Sequence, residues 1–374
     1  MKKCWKYRHN WGYKFFSAFG GIEQIRESMF ENQERTNIES LGEFGLIDHL
    51  TKQIKIKQPG TIKGIGDDAA VIDFKGKKAL ISTDMLLEGI HFDLAYTPLK
   101  HLGYKSIQVN LSDIYAMNGI AAQVTVSIGI SSKFPLEAVE ELYEGIYRAC
   151  EKYNVDLVGG DTTSSRQGLV ISVTSIGYAD EKDIAYRNTA GEGDLICVSG
   201  DLGGAYVGLQ LLEREKLVYI ENPNIQPDLE GKDYIVERQL KPEARKDIVE
   251  LLQDVKVVPT SMIDISDGLA SEILHICKQS NKGCNIYEDK IPLDPMTYET
   301  AREFNLDPTV CALSGGEDYE LLFTIKQSDY EKIKLQMDIS VIGHITEPSA
   351  GCNLVTKSGV VHPLKAQGWN AFKS

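Results

Sequence analysis

The chain has no apolar run approaching the length that spans a bilayer, no evident clustered basic face, and no cysteines at Cys-x-x-Cys spacing. The first absence argues against a helical membrane protein. The second argues against a nucleic-acid surface: Lys and Arg total 40 against 54 Asp and Glu, a formal charge of −14, whereas phosphate backbones are held by clustered cations. Seven cysteines (Cys4, Cys150, Cys197, Cys277, Cys284, Cys311 and Cys352) are odd in number and scattered. That arrangement argues against a zinc site or a disulfide framework and suits a reducing cytoplasm. Also missing are a G-x-x-x-x-G-K-[ST] loop, a protein-kinase H-R-D set and a Ser-His-Asp signature. No repeat or low-complexity segment is visible.

What remains is a 374-residue chain with 42% hydrophobic and 25% charged residues, the composition of a soluble globular protein with room for two domains. The opening stretch MKKCWKYRHNWGYKFFSAFGG is basic and aromatic, but Lys, Arg, His and Asn interrupt it, so it lacks the apolar core of a signal peptide. Residues 1–28 read as a disordered extension, and Met29, just before the first domain-like segment, is a second place where translation can begin.

Residues 41–50, LGEFGLIDHL, read as a short helix, after which strands and helices alternate. KALISTD, AAQVTVSIGI and GLVISVTSIGY are β-branched and apolar, as strands are. LEAVEELYEGIYRACEKY places Leu136, Val139, Leu142, Tyr143, Ile146, Ala149 and Cys150 on one helical face. TAGEGDL is the expected boundary between an N-terminal domain over 29–190 and a C-terminal domain over 191–374. Beyond it DLICVSG, YELLFTI and ISVIGHI read as strands, AYVGLQLLERE and PEARKDIVELLQDV as helices, and SMIDISDGLASEILHICKQ as a strand entering a helix.

Acidic residues recur where these strands are expected to end: Asp84 in ISTDM, Asp161 in VGGDTT, and Asp264 and Asp267 in DISDGL, with Asp67 and Asp68 in GIGDDAAV and Asp113 in NLSD following the same pattern. A single strand-end Asp suits a turn or a helix cap just as well. Their repetition is what points to Mg²⁺ and phosphate chemistry, since hard cations take oxygen ligands and gathered carboxylates repel one another without cations. Ser82 and Thr83 add hydroxyls beside Asp84. Gly160 lets the backbone approach a ligand, and Ser266 opens a helix whose N–H groups can meet phosphate. Arg187 could reach a polyphosphate, or be an ordinary surface Arg. Glu317 and Asp318 follow a Gly-Gly turn, which suits either a turn or a cationic ligand.

In order, GIGDDAAV, STDMLLEGIHF, NLSDIYAMNG, VGGDTTSS, the Arg187 segment, SGDLGGAYVGL, IDISDGL, SGGEDYELLF and GWNAF resemble the thiamine-monophosphate kinase family from about Leu41 to Phe372. The resemblance implies the two-lobed α/β (α+β) fold of the superfamily that includes aminoimidazole ribonucleotide synthetase, with N-terminal lobes pairing through their sheets into a homodimer and ATP near that interface. It implies transfer of the γ-phosphoryl of ATP to thiamine monophosphate in the cytoplasm, the final step in making thiamine diphosphate. Carried over residue by residue, Asp67, Ser82, Thr83, Asp84, Asp113, Asp161, Asp264 and Asp267 would share several Mg²⁺ ions. Tyr143, Gly160, Asp161, Arg187 and Ser266 would contact ATP; His91, Glu317 and Trp369 would contact the substrate. No protein nucleophile or base is implied, and no nucleic-acid or membrane partner. A selenophosphate synthetase would instead show a reactive Cys or selenocysteine in a Gly-rich N-terminal segment, and a hydrogenase maturation factor a C-terminal Cys. A catalytically silent nucleotide-binding protein would have no use for the acidic set.

Overall fold

The computed structural model describes residues 49–63, 71–72 and 76–366. Asp67, Asp68 and Trp369, and all but the end of the helix expected over 41–50, lie outside them; residues 49–51 are helical. A small antiparallel pair, β1 (Thr61–Lys63) and β2 (Val71–Ile72), precedes the first main unit. That unit runs β3 (Lys78–Leu87), α1 (Leu99–Ala116), β4 (Ile120–Ile130), α2 (Leu136–Tyr153), β5 (Asp156–Ser164) and β6 (Val170–Ala179). Its four strands lie in the order β3-β6-β4-β5, with β5 parallel to β4 and the other pairs antiparallel.

The second unit continues with β7 (Leu195–Ser199), α3 (Gly204–Glu221), α4 (Asp233–Leu240), α5 (Lys246–Asp254), β8 (Ser261–Asp264), α6 (Leu269–Ser280) and β9 (Gly283–Tyr287). It closes with α7 (Pro295–Glu303), α8 (Pro308–Ser314), β10 (Leu321–Ile325), α9 (Tyr330–Ile333), β11 (Ile339–Thr346), β12 (Cys352–Val355) and β13 (Val361–Pro363). Its seven strands are ordered β13-β12-β9-β11-β7-β10-β8.

The expected helix over LEAVEELYEGIYRACEKY is α2, its apolar face buried and its end set by Asn154 in the left-handed conformation. The helix expected from Pro242 begins only at Lys246, because the Ala244 amide donates to the Gln108 side chain instead of entering a helical turn. Helices α7 and α8 each open with an Asp cap followed by Pro, at Asp294-Pro295 and Asp307-Pro308.

Helix α1 was not expected from the sequence, and nearly all of it is buried. It packs on the inner face of the first sheet beside α2 and also against β8, α4 and α5 of the second unit. One hydrophobic core therefore runs from Ile107, Ile114 and Val173 to Ile248, Met262, Leu321 and Phe323. The other face of the seven-stranded sheet packs with α6 around Ile196, Ile263, Ile273 and Ile286. The α1–α2 contact is close enough to require glycine on both sides: a Cβ at Gly103 would lie 1.9 Å from the Leu142 carbonyl oxygen, and one at Gly145 1.9 Å from that of Lys100.

Three of the cysteines that are scattered in sequence meet in space. The thiols of Cys277 in α6, Cys284 in β9 and Cys352 in β12 lie within 4.8 Å of one another, a proximity that their spacing in sequence does not reveal.

The crossing makes an inversion of sign testable. In a solvent-exposed helix Gly→Ala gains up to about 1 kcal/mol. At Gly145 we expect Gly→Ala to cost about 1–3 kcal/mol through overpacking, seen as a lower urea midpoint with unchanged slope. A neutral or stabilising result would mean that the two helices can separate at little cost.

Candidate active site

Helix α1 carries a row of buried polar side chains, each tied to a different part of the chain. The Lys105 ammonium pairs with Glu317 Oε1 at 2.9 Å and donates to the Gln239 carbonyl at 3.1 Å. Asn110 Oδ1 accepts the Asp84 amide at 2.9 Å, and Ser112 donates to Asp264 Oδ2 at 2.7 Å. Asp113 accepts from the Ser82 hydroxyl. Lys105, Val109 and Asp113 recur every four residues and so share one face, with about 12 Å between the first and last along the axis. Asp113 thus lies inside the last full turn of a helix, not at its start as a cap.

Two loops from the second unit close over this face. Beyond the β8–β10 ladder, the Glu317 amide donates to the Ser266 carbonyl at 2.7 Å and the Tyr319 amide to that of Ile265 at 2.9 Å. Glu317 and Tyr319 both adopt positive φ, 67° and 52°, an unfavourable conformation for side-chain-bearing residues that persists where the surroundings over-determine it. The alternation sends Glu317 and Tyr319 to the α1 side, where Gln239 donates to Glu317 Oε2 at 2.8 Å. Asp318 and Glu320 instead turn into a buried ion network. Glu320 pairs with Arg238 at 2.9 Å and with Arg245, while Asp318 accepts the Gly203 amide at 2.6 Å and so caps α3. Of the two alternatives open at Asp318, the structure supports the structural one.

Between these elements lies a cavity of about 600 Å³. Asp84, Asp113, Asp264, Ser266 and Asp267 line its acidic wall, Ile90, Tyr206, Leu209 and Val310 an apolar wall, and His91, Glu317 and Tyr319 complete it. Burial, then the Asp113 charge and a hydrogen bond to Asp113, push the Asp84 carboxyl up to about 7. Burial followed by Asp113 pushes Asp264 up to about 7, against the opposing pull of the Ser112 hydroxyl and the Arg187 charge. Asp267 is raised by burial. Glu272, which accepts the Asp267 amide at 2.9 Å, is pushed by burial up to about 7. Burial lowers His91, whose Nδ1 accepts the Leu87 amide at 3.0 Å, so the neutral ring carries its proton on Nε2.

The fold therefore divides the residues singled out from sequence. Ser82 and Asp84 occupy the inner face of β3, with Asp113, Asp264, Ser266 and Asp267 beside them. Asp84 stands inside β3, which runs on to Leu87, and Asp161 inside β5, so neither ends its strand. Thr83 and Asp161 belong to the opposite, outer face of the sheet: Asp161 aligns with Ser127, Ser172 and Met85, whereas Asp84 aligns with buried Val173 and Val126. Gly160 abuts the Val126 carbonyl so closely, 1.8 Å from where its Cβ would be, that no side chain fits. Tyr143 is buried in the α1–α2 core, edge-on to Tyr147, and does not line the cavity. Arg187 is exposed and does not line the cavity, but is near enough to act electrostatically on Asp264 and Glu272.

Lys105, Gln239, Tyr319 and Glu272 are site residues that the sequence reading passed over. The signal for Lys105 was its place eight residues before Asp113, two helical turns away on one face, visible once LKHLGYKSIQVNLSDIYA is read as a helix.

An acidic cavity set between a four-stranded α/β unit and a second sheet defines a class as well as a site. Residues 66–179 match the family described as AIR synthase related protein, N-terminal domain. The fold also resembles that of Escherichia coli HypE, a hydrogenase maturation protein, at a TM-score of 0.66 and 19% identity over 87% of this chain and 98% of that one. That likeness concerns the fold alone. Much higher identity links the chain to the thiamine-monophosphate kinases of Bacillus subtilis, 32% over 342 residues (89% of this chain, 100% of that protein), and of Aquifex aeolicus, 35% over 335 residues (90% and 99%). A solved structure of AaThiL complexed with AMPPCP and TMP superposes at a TM-score of 0.68, with 32% identity over 91% of this chain and all of that one. The chain belongs to the thiamine-monophosphate kinase family.

The raised carboxyls carry a stability signature. Asp84 and Asp264 hold protons in the folded chain up to about pH 7 but release them near 3.8 when unfolded. Their contribution is thus fully present below about pH 4 and is lost as pH rises through 7. In EDTA, Asp84→Asn should gain stability relative to the parent protein between pH 5 and 8, on the order of 2 kcal/mol. A difference in urea midpoint that does not change with pH would refute this assignment.

Proposed function

We propose that the chain phosphorylates thiamine monophosphate to thiamine diphosphate at the expense of ATP, at the α1 cavity. The observation that carries this reading is the composition of that cavity: Asp84, Asp113, Asp264 and Asp267, suited to cation-bound phosphates, line it together with apolar side chains and with Glu317 and His91, which suit a flat, positively charged heterocycle. The relative solved with AMPPCP and TMP supports it.

Asp84, Asp113, Asp264 and Asp267 fit Mg²⁺ by their chemistry: all are carboxylates, and three of them are raised by burial or mutual repulsion, a state that a bound divalent cation relieves. When bound, Mg²⁺ would neutralise phosphate charge. The chain's own residues orient and exclude water. Asn110 and Ser112 hold the two strands, β3 and β8, that carry Asp84 and Asp264. Lys105 and Gln239 fix both carboxylate oxygens of Glu317, leaving that group to face the thiamine ring system with His91. Ile90, Tyr206, Leu209 and Val310 offer an apolar surface to the same rings. Ser266 lines the cavity just before the α6 N-terminus, a position suited to phosphate. A phosphate monoester is largely dianionic at neutral pH, so its oxygen can attack the γ-phosphorus in line while ADP leaves, with no protein base required.

The outer face of the first sheet, where Ile81 is 70% and Met85 53% exposed, suits pairing with a second copy. Homodimerisation there would also cover Thr83 and Asp161, and it belongs to this proposal.

Incubation with Mg-ATP and thiamine monophosphate, followed by chromatography, should yield thiamine diphosphate and ADP in equal amounts, and none with free thiamine. ATP consumption without thiamine diphosphate would exclude this acceptor. Asp84→Asn should lower kcat by at least about 100-fold, while Glu317→Gln should raise KM for thiamine monophosphate about 10-fold with little change in KM for ATP. Equal shifts in both KM values would remove Glu317 from the acceptor site.

A further inference from the structure

Helix α6, strand β9 and strand β12 each contribute one cysteine to a single point in the second unit, away from the α1 cavity. Cys284 and Cys352 sit opposite each other on adjacent parallel strands, and Cys277 reaches them from the helix packed on that face. Their sulfurs lie within 4.8 Å of one another. Three thiolates around one metal at about 2.3 Å stand about 3.8–4.0 Å apart, so small rotamer changes bring all three within bonding reach. Cys277 and Cys284 are buried among Ile273, Ile276, Ile286 and Ile345, while Cys352 is half-exposed and opens the cluster to solvent. Among the described residues no His, Asp or Glu joins the group, so its donor set is entirely sulfur.

We propose that Cys277, Cys284 and Cys352 form a three-thiolate site for a thiophilic metal ion of the Zn²⁺ class, with water in the fourth position beside Cys352. Soft sulfur donors select such ions over Mg²⁺, which keeps this site chemically separate from the carboxylate cavity. Binding exchanges thiol protons for metal–sulfur bonds, so it releases protons to solvent and strengthens as pH rises. Its structural consequence falls on the sheet edge. Strand β12 and its partner β13 bury little side-chain surface, and a metal would fasten that hairpin to α6 and β9.

The test uses the full-length, reduced, metal-free protein. Titration with Zn²⁺ against a chromophoric chelator should show one ion per chain, protect three thiols from alkylation, and slow amide exchange over residues 352–363. Co²⁺ in place of Zn²⁺ should give a thiolate-to-metal charge-transfer band, which carboxylate-bound Co²⁺ cannot give. Cys352→Ser and Cys284→Ser should each weaken binding at least 10-fold while phosphoryl-transfer kinetics stay unchanged. Should Cys284→Ser fail to fold, Cys352→Ser and the alkylation pattern of the parent protein decide the matter. Absence of the charge-transfer band, or Zn²⁺ binding indifferent to Cys352→Ser, would each overturn the proposal.

Discussion

Everything at the cavity depends on one constraint: the helix that carries Lys105, Asn110, Ser112 and Asp113 has been driven into the boundary between two sheets, where leaving such groups without a partner is costly. Helix α1 is buried on nearly every side, and an unpaired amide or ammonium there would cost several times what a typical hydrogen bond contributes. Lys105, Asn110, Ser112 and Asp113 therefore find partners in Glu317, Asp84, Asp264 and Ser82, which come from other strands and loops. Satisfying the helix and assembling the site are the same set of contacts.

The ion network behind the SGGEDYE segment extends that logic. Asp318 and Glu320 are held by Arg238, Arg245 and the start of α3, and this anchorage on one side lets Glu317 and Tyr319 hold positive φ on the other. Burial of carboxyls on the cavity side raises Asp84, Asp264 and Glu272 toward neutrality.

Much of the architecture was legible because it obeys simple periodicities. Helix α2 matches its apolar pattern from Leu136 to Tyr153, and β4, β6, β7, β10 and β11 fall where β-branched runs were read as strands. Helix α1 was missed because burial on all sides erases the polar stripe that marks an amphipathic helix. Asp84 and Asp161 were placed at strand ends because polar residues usually interrupt strands. Here they continue them, one facing a buried polar helix and the other an open sheet face. Strand pairing alone separates Thr83 from Ser82 and Asp161 from Asp84, a division that adjacency in sequence conceals.

By itself the sequence determined the succession of acidic motifs, the alternation of strands and helices, and through their joint order the family. These are local patterns, set by side-chain chemistry and period. Only the tertiary structure decided that Lys105 and Gln239 orient Glu317, that Asp318 caps a helix instead of facing the cavity, and that Cys277, Cys284 and Cys352 meet. Such contacts join residues far apart in the chain, as in the pair of Lys105 with Glu317 and the bond from Ser112 to Asp264. They follow from how two sheets share one buried helix, which no window of sequence contains.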